Sequence, residues 1–281
     1  MAEMKTLLSR AAEPQEIIDL ILFIASDKGQ FINGENIMID GGRNAAGRNS
    51  IYDDADCLGI QLERLKKEYK TEEHYKNIFA VCSGHPIYIT NYRGGENKGF
   101  SDEELADELV KALACGATLG DVPASLFDSE SGMEIGLELS MKQDTIDLQM
   151  RLIDKIHNMG KEVLMSSHIL QFTSAETVLE IAYEQKKRGA DIAKIVTAAN
   201  SDEEQMENLR ITTLLKKELD IPFLFLSGGT HSKIHRMIGP QLGCVTYLAV
   251  REHDERAVPT QPTIKAAKAV RDNFDYLPDL I

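Results

Sequence analysis

Two stretches decide the fold: Val163-Leu-Met-Ser-Ser-His168 and Gly189-Ala-Asp-Ile-Ala-Lys-Ile-Val196. Each is a short apolar run with one chemically capable side chain near its end. Between them, Ser174–Arg188 has its apolar residues at helical spacing. Strand, helix and strand within about thirty residues spell a βαβ unit, so the two strands run parallel.

The same alternation extends in both directions. The apolar runs are Cys57–Leu62, Pro86–Thr90, Thr118–Val122, Glu162–Ser166, Asp191–Val196, Pro222–Leu226 and Val245–Val250. Helical stretches at Ser101–Ala114, Thr145–Asn158 and Asp202–Leu219 lie between them. Two of these open with the spelling of a capping box, Ser101-Asp-Glu-Glu and Ser201-Asp-Glu-Glu. Continuous apolar strands separated by helices are parallel strands buried on both faces. Seven of them favour a (β/α)8 TIM-type barrel over an open doubly wound sheet. The N-terminus reads differently: a helix over Glu13–Ser26, a short strand over Asn36–Asp40, then the polar, irregular Arg43–Asp54. That stretch is the best candidate domain boundary.

Composition removes several classes of function. The 281 residues carry 31 Lys and Arg against 45 Asp and Glu, a formal charge of -14. Nucleic-acid and anionic-membrane surfaces want clustered positive charge, so neither partner is expected. No apolar run approaches the roughly 18 residues of a membrane span, and MAEMKTLLSRAAEP lacks a signal core. Cys57, Cys82, Cys115 and Cys244 are scattered, which argues against a disulfide framework or zinc knuckle and fits a cytoplasmic protein.

Lys194 sits among Ile192, Ile195 and Val196. Burial in such surroundings disfavours the ammonium and supplies the neutral amine that attacks a ketone. The alternative is a strand-end lysine reaching back to water. His168 ends the preceding strand, so both side chains meet at one barrel mouth, where imidazole can take and return a proton. Arg93 and Arg236 follow predicted strands and offer planar forks for a carboxylate; each could equally be an exposed ion pair. His231 and His235 have i, i+4 spacing, but no acidic third ligand is near, so no metal is expected.

Two resemblances add to this reading. Pro14-Gln-Glu-Ile-Ile, Leu22-Phe-Ile-Ala-Ser-Asp27 and Phe31-Ile-Asn-Gly-Glu-Asn-Ile-Met-Ile-Asp-Gly-Gly42 resemble the C-terminal end of a short-chain dehydrogenase/reductase, over residues 12–45. No glycine-rich cofactor loop precedes it. Tyr183 and Lys187 do spell that family's Tyr-x-x-x-Lys, but within a charged helical run far downstream, so no nicotinamide chemistry is implied.

Residues 50–281 resemble type I 3-dehydroquinate dehydratase. Ala55-Asp-Cys-Leu-Gly-Ile-Gln-Leu-Glu63 is similar to its second strand and Pro86-Ile-Tyr-Ile-Thr-Asn-Tyr-Arg93 to its third. The two deciding stretches match the fifth and sixth, and Lys233-Ile-His-Arg-Met-Ile-Gly239 and Pro259-Thr-Gln261 come next in order. The resemblance implies an imine on Lys194, acid/base work by His168, and substrate contacts from Arg93, Arg236 and Gln261. It implies a small keto-acid substrate, no organic cofactor or metal, and a homodimer. The departures are Gly59 and Gln61 for a Glu and an Arg, and Pro123 for the Glu that orients the histidine, unless Asp121 replaces it. Ala257 stands for a lid serine. Losing hydroxyl-recognition partners points to an altered substrate. A class I aldolase-like lyase and a catalytically impaired fusion remnant are the competing readings. The family's first strand is missing, and Asn36–Asp40 is the expected substitute, since Gly41–Ala55 has the length of a crossover.

Overall fold

The computed structural model describes residues 15, 55–82, 84–132, 136–254 and 257–274. The chain divides into two compact units, Met1–Asp54 and Ala55–Ile281, and the second holds every strand among the described residues. The readings for Glu13–Ser26 and Asn36–Asp40 lie outside the described residues, apart from Gln15.

Six strands form one sheet: β1 (Leu58–Gln61), β2 (Ile87–Thr90), β3 (Leu119–Pro123), β4 (Glu162–His168), β5 (Ile192–Ala198) and β6 (Phe223–Gly228). They lie in sequence order and every adjacent pair is parallel. Among the residues described from Ala55 onward, seven α-helices accompany them: α1 (Glu72–Ala80), α2 (Asp102–Ala114), α3 (Gln143–His157), α4 (Ala175–Lys187), α5 (Asp202–Glu218), α6 (Lys233–Leu242) and α7 (Ile264–Phe274). This is the βα alternation of a barrel, taken through six strands.

The seventh expected strand, Val245–Val250, does not form a ladder. Val245 N–H donates to the Phe223 carbonyl at 2.8 Å, and Val250 makes an isolated bridge to Thr263. Among the described residues it has no strand on its far side, and a segment paired once has little to hold it extended. The two helix caps also differ from their shared spelling. Ser101 and Glu104 make both bonds of a capping box. Ser201 accepts from Glu204 N–H at 3.2 Å, but the Glu204 carboxylate reaches one residue further back, to Asn200 N–H at 2.7 Å.

Strand parity sorts the side chains. Ala193 and Ile195 of β5 and Phe223 and Phe225 of β6 pack outward under the helices, where Ile181, Ile211 and Leu215 cover them. Leu105, Leu109 and Leu113 of α2 do the same for the first half of the sheet, with Ile89, Val122 and Val163 beneath them. The opposite parity sends Tyr88, Asp121, Ser166, His168 and Lys194 to the concave face. The register sets Ser166 opposite Lys194 and Pro123 opposite Ser166, so these strands end at one level.

Candidate active site

Lys194 is buried, with 3 % of its surface exposed. Its backbone neighbours are apolar, as the sequence suggests, but its amino group lies in a polar cage. Nζ is 3.0 Å from Asp121 Oδ2 and donates to Tyr92 Oη at 2.7 Å and Tyr88 Oη at 3.1 Å. Asp121, 1 % exposed, is the hub. It accepts from the Tyr92 hydroxyl at 2.5 Å, from Ser166 Oγ at 2.5 Å and from the Tyr88 hydroxyl. Burial works to raise the Asp121 carboxyl, yet Lys194, His168 and the bonds from Ser166 and Tyr88 hold it below the usual carboxylate range. Burial, with Asp121 beside them, pushes both phenols well above theirs, so they stay protonated donors.

Asp121 therefore does not replace the missing carboxylate behind the histidine. Glu138 does. Its Oε2 sits 2.7 Å from His168 Nδ1 and accepts the His168 backbone N–H at 2.6 Å. A carboxylate can only accept, so the ring proton is on Nδ1 and the Nε2 lone pair is left as the base. Glu138 is buried in the segment between β3 and α3, with φ at 48°. A non-glycine residue in that region costs about 1–3 kcal/mol and persists where surrounding contacts enforce it. Those contacts are visible: Ser167 Oγ donates to the Glu138 carbonyl at 3.1 Å, and the neighbouring Ser140 is tied by the fully buried Arg188 at 2.7 Å.

The two centres meet at Tyr92. Its ring packs edge-on against His168 with centroids 5.1 Å apart, while its hydroxyl touches Lys194 and Asp121. Its backbone is fixed from both sides, the carbonyl accepting from Asn97 Nδ2 at 2.7 Å and the N–H donating to Glu63 at 3.4 Å. Tyr88 and Tyr92 both lie in the stretch Pro86–Arg93, which draws attention for its arginine alone. Their signal is parity: counting by twos from Tyr88 reaches Tyr92, not Arg93.

The structure does not bring Arg93 to Lys194. Its guanidinium grips Asp102 and donates to Ser125 Oγ at 3.1 Å and the Ser125 carbonyl at 2.8 Å. Ser125 Oγ in turn donates to Glu138 Oε1 at 3.4 Å, so Arg93 reaches His168 through two intermediaries. Arg236 lies on α6 behind the end of β6 and is 8 % exposed. Its Nε donates to the Ser227 carbonyl at 2.6 Å; among the described residues no carboxylate pairs with it, and burial pulls it down to about 10. An uncompensated buried guanidinium is suited to an anionic ligand. Gln261 is half-buried beyond the Val250–Thr263 bridge, and its backbone carbonyl accepts from His253 at 2.8 Å. His235 turns inward to Thr212 at 2.8 Å while His231 is half-buried in the turn before α6, and no cluster of three metal-ligating side chains forms among the described residues. A cavity of about 430 Å³ lined by His85, Ile87, Cys115 and Thr118 opens at the other end of the strands, away from this chemistry.

Comparison with known proteins agrees with this geometry. The chain is 23 % identical over 198 residues to 3-dehydroquinate dehydratase of Aromatoleum aromaticum, covering 69 % of each chain. The fold matches the crystal structure of 3-dehydroquinate dehydratase from Geobacillus kaustophilus with a TM-score of 0.67 and 18 % identity, covering 83 % of this chain and 86 % of that one. Residues 1–44 match a separate model, enoyl-(acyl carrier protein) reductase. A 48-residue stretch is 54 % identical to trans-4-hydroxycyclohexanecarboxylate dehydrogenase of Sinomonas cyclohexanicum, covering 17 % of this chain and 18 % of that one. The type I 3-dehydroquinase model matches residues 54–275, more than half the chain, and the chain belongs to that family.

Proposed function

We propose that this chain is a hydro-lyase that removes water from 3-dehydroquinate, or a closely related cyclic keto acid, through an imine on Lys194. The observation that carries this reading is the buried Lys194 on β5 beside a strand whose last residue, His168, is backed by a carboxylate. Lys194 would condense with the ketone. The cation so formed weakens the adjacent C–H bond, and His168 Nε2 takes that proton. The same imidazole then protonates the departing hydroxyl, and hydrolysis of the imine returns the lysine. Arg236 would hold the substrate carboxylate in its unpaired fork, and Gln261 would reach the substrate from the loop beyond. Arg93 serves this chemistry by holding Ser125 and Glu138 in place.

The reading takes residues 50–281 as the catalytic unit and 1–45 as a separate reductase-like segment. It places the protein in the cytoplasm, where Cys57, Cys82, Cys115 and Cys244 stay free thiols. No helix among the described residues is long and apolar enough to cross a membrane. A homodimer is expected, and light scattering after gel filtration measures it.

The deciding experiment adds 3-dehydroquinate with borohydride and follows both intact mass and enone absorbance. The reduced adduct should map to Lys194, and Lys194→Ala should abolish adduct and absorbance together. An unaltered chain that gives neither removes the assignment. An adduct without enone would redirect it to a carbon–carbon lyase.

A further inference from the structure

Among the described residues, Tyr92 is the side chain that touches Lys194, Asp121 and His168 together. We propose that Tyr92 and Asp121 form the proton relay for imine formation at Lys194. This rests on the imine reading of Lys194. Condensing an ammonium with a ketone moves two protons from nitrogen to the carbonyl oxygen, so a site that performs it needs a route between those atoms.

The geometry supplies one. Asp121 takes a proton from Nζ, 3.0 Å away, and the freed lone pair forms the C–N bond. The carbonyl π pair moves to oxygen, which takes the Tyr92 proton. Asp121, 2.5 Å from Tyr92 Oη, hands over the proton it received and restores the phenol. The nitrogen, now cationic, gives a second proton to Asp121, which passes through Tyr92 to the hydroxyl. That oxygen leaves as water with the C–O bond pair, and the nitrogen lone pair closes the C=N bond. Ammonium and ketone have become iminium and water. The ammonium–carboxylate pair is neutralised at each transfer to Asp121 and restored when the proton moves on, so the site begins and ends with one positive charge beside the carboxylate.

Tyr88 touches Lys194 and Asp121 from inside β2, whereas Tyr92 lies past its last residue, Thr90, at the strand ends where the mouth opens. A phenol kept protonated by burial and a carboxylate kept ionised by its neighbours suit a donor that is refilled and a carrier that empties.

The test is rapid-quench borohydride trapping of 3-dehydroquinate on the full chain, counting adduct at Lys194 by mass. Tyr92→Phe keeps the ring against His168 and removes only the hydroxyl. Adduct formation should slow by about 10²-fold, the lower range for a positioned acid/base, with the thermal midpoint retained. Equal adduct rates in Tyr92→Phe and the unaltered chain overturn the relay and leave the imine reading standing; no adduct in the unaltered chain overturns both. If Tyr92→Phe does not fold, the solvent deuterium isotope effect on adduct formation in the unaltered chain decides. A normal effect supports protons in flight, and none refutes them.

Discussion

Glu138 is the residue on which the acid/base function turns. It has no counterpart on a strand, and it holds His168 by two contacts, one to the ring and one to the backbone. Glu138→Gln keeps the size and removes the charge that fixes the Nδ1–H tautomer. Turnover should fall by about 10²–10⁴-fold, while borohydride still traps an adduct on Lys194; separate assays of absorbance and adduct mass check the split. Asp121 carries a different load. Asp121→Asn leaves the Lys194 ammonium buried without its carboxylate, and unfolding in urea should show a loss of about 3–5 kcal/mol. The sequence made Lys194 and His168 legible because each is the one chemically capable side chain in an apolar run, in adjoining βα units. It hid Glu138, which belongs to no periodic segment and whose backbone is left-handed. It also misdirected attention to Arg93, because past the end of β2 a single residue of parity exchanges the interior for the exterior.

Among the elements, α6 carries a pH liability. His235 is packed against Phe225 under the sheet, and burial, helped by Arg236 next to it, lowers its pKa to about 4. The unfolded chain takes that proton near the ordinary histidine value of about 6.5. Between these two values the unfolded state binds more protons than the native one, so stability rises with pH across the window. Acidifying from pH 7 to 4 should remove about 3 kcal/mol through this group, and His235→Gln should flatten the dependence; urea midpoints at several pH values measure both. The caps make a second comparison. Ser101→Ala at the start of α2 should cost about 1 kcal/mol, because the hydroxyl and its partner Glu104 satisfy two backbone donors reciprocally. The capping spelling was legible at both helices. The partner of Glu204 was not, since whether a long carboxylate turns to one backbone N–H or the one before it depends on how the chain arrives from Ala198 and Ala199.

At the scale of the whole molecule, the formal charge of -14 opposes compaction. Raising sodium chloride from low to physiological levels should screen this repulsion and stabilise the protein by about 1 kcal/mol, or roughly 2–4 °C in Tm; a melting series in salt shows it. Six of the seven strands were legible because each is a short apolar run set between amphipathic helical stretches. Val245–Val250 was not distinguishable from them, since a strand is confirmed by its partners and no composition records whether those exist. The strict order β1 to β6 carries one more consequence. Each strand finds its only earlier partner in the segment just before it, so every step of assembly closes a short loop. A ribosome releases the chain from the N-terminal side, and each emerging strand meets a template already in place. The cage around Lys194 draws on β2, β3, β4 and β5, so its four walls would be set in order of synthesis, with the lysine delivered last into a ring of acceptors that is already waiting for it.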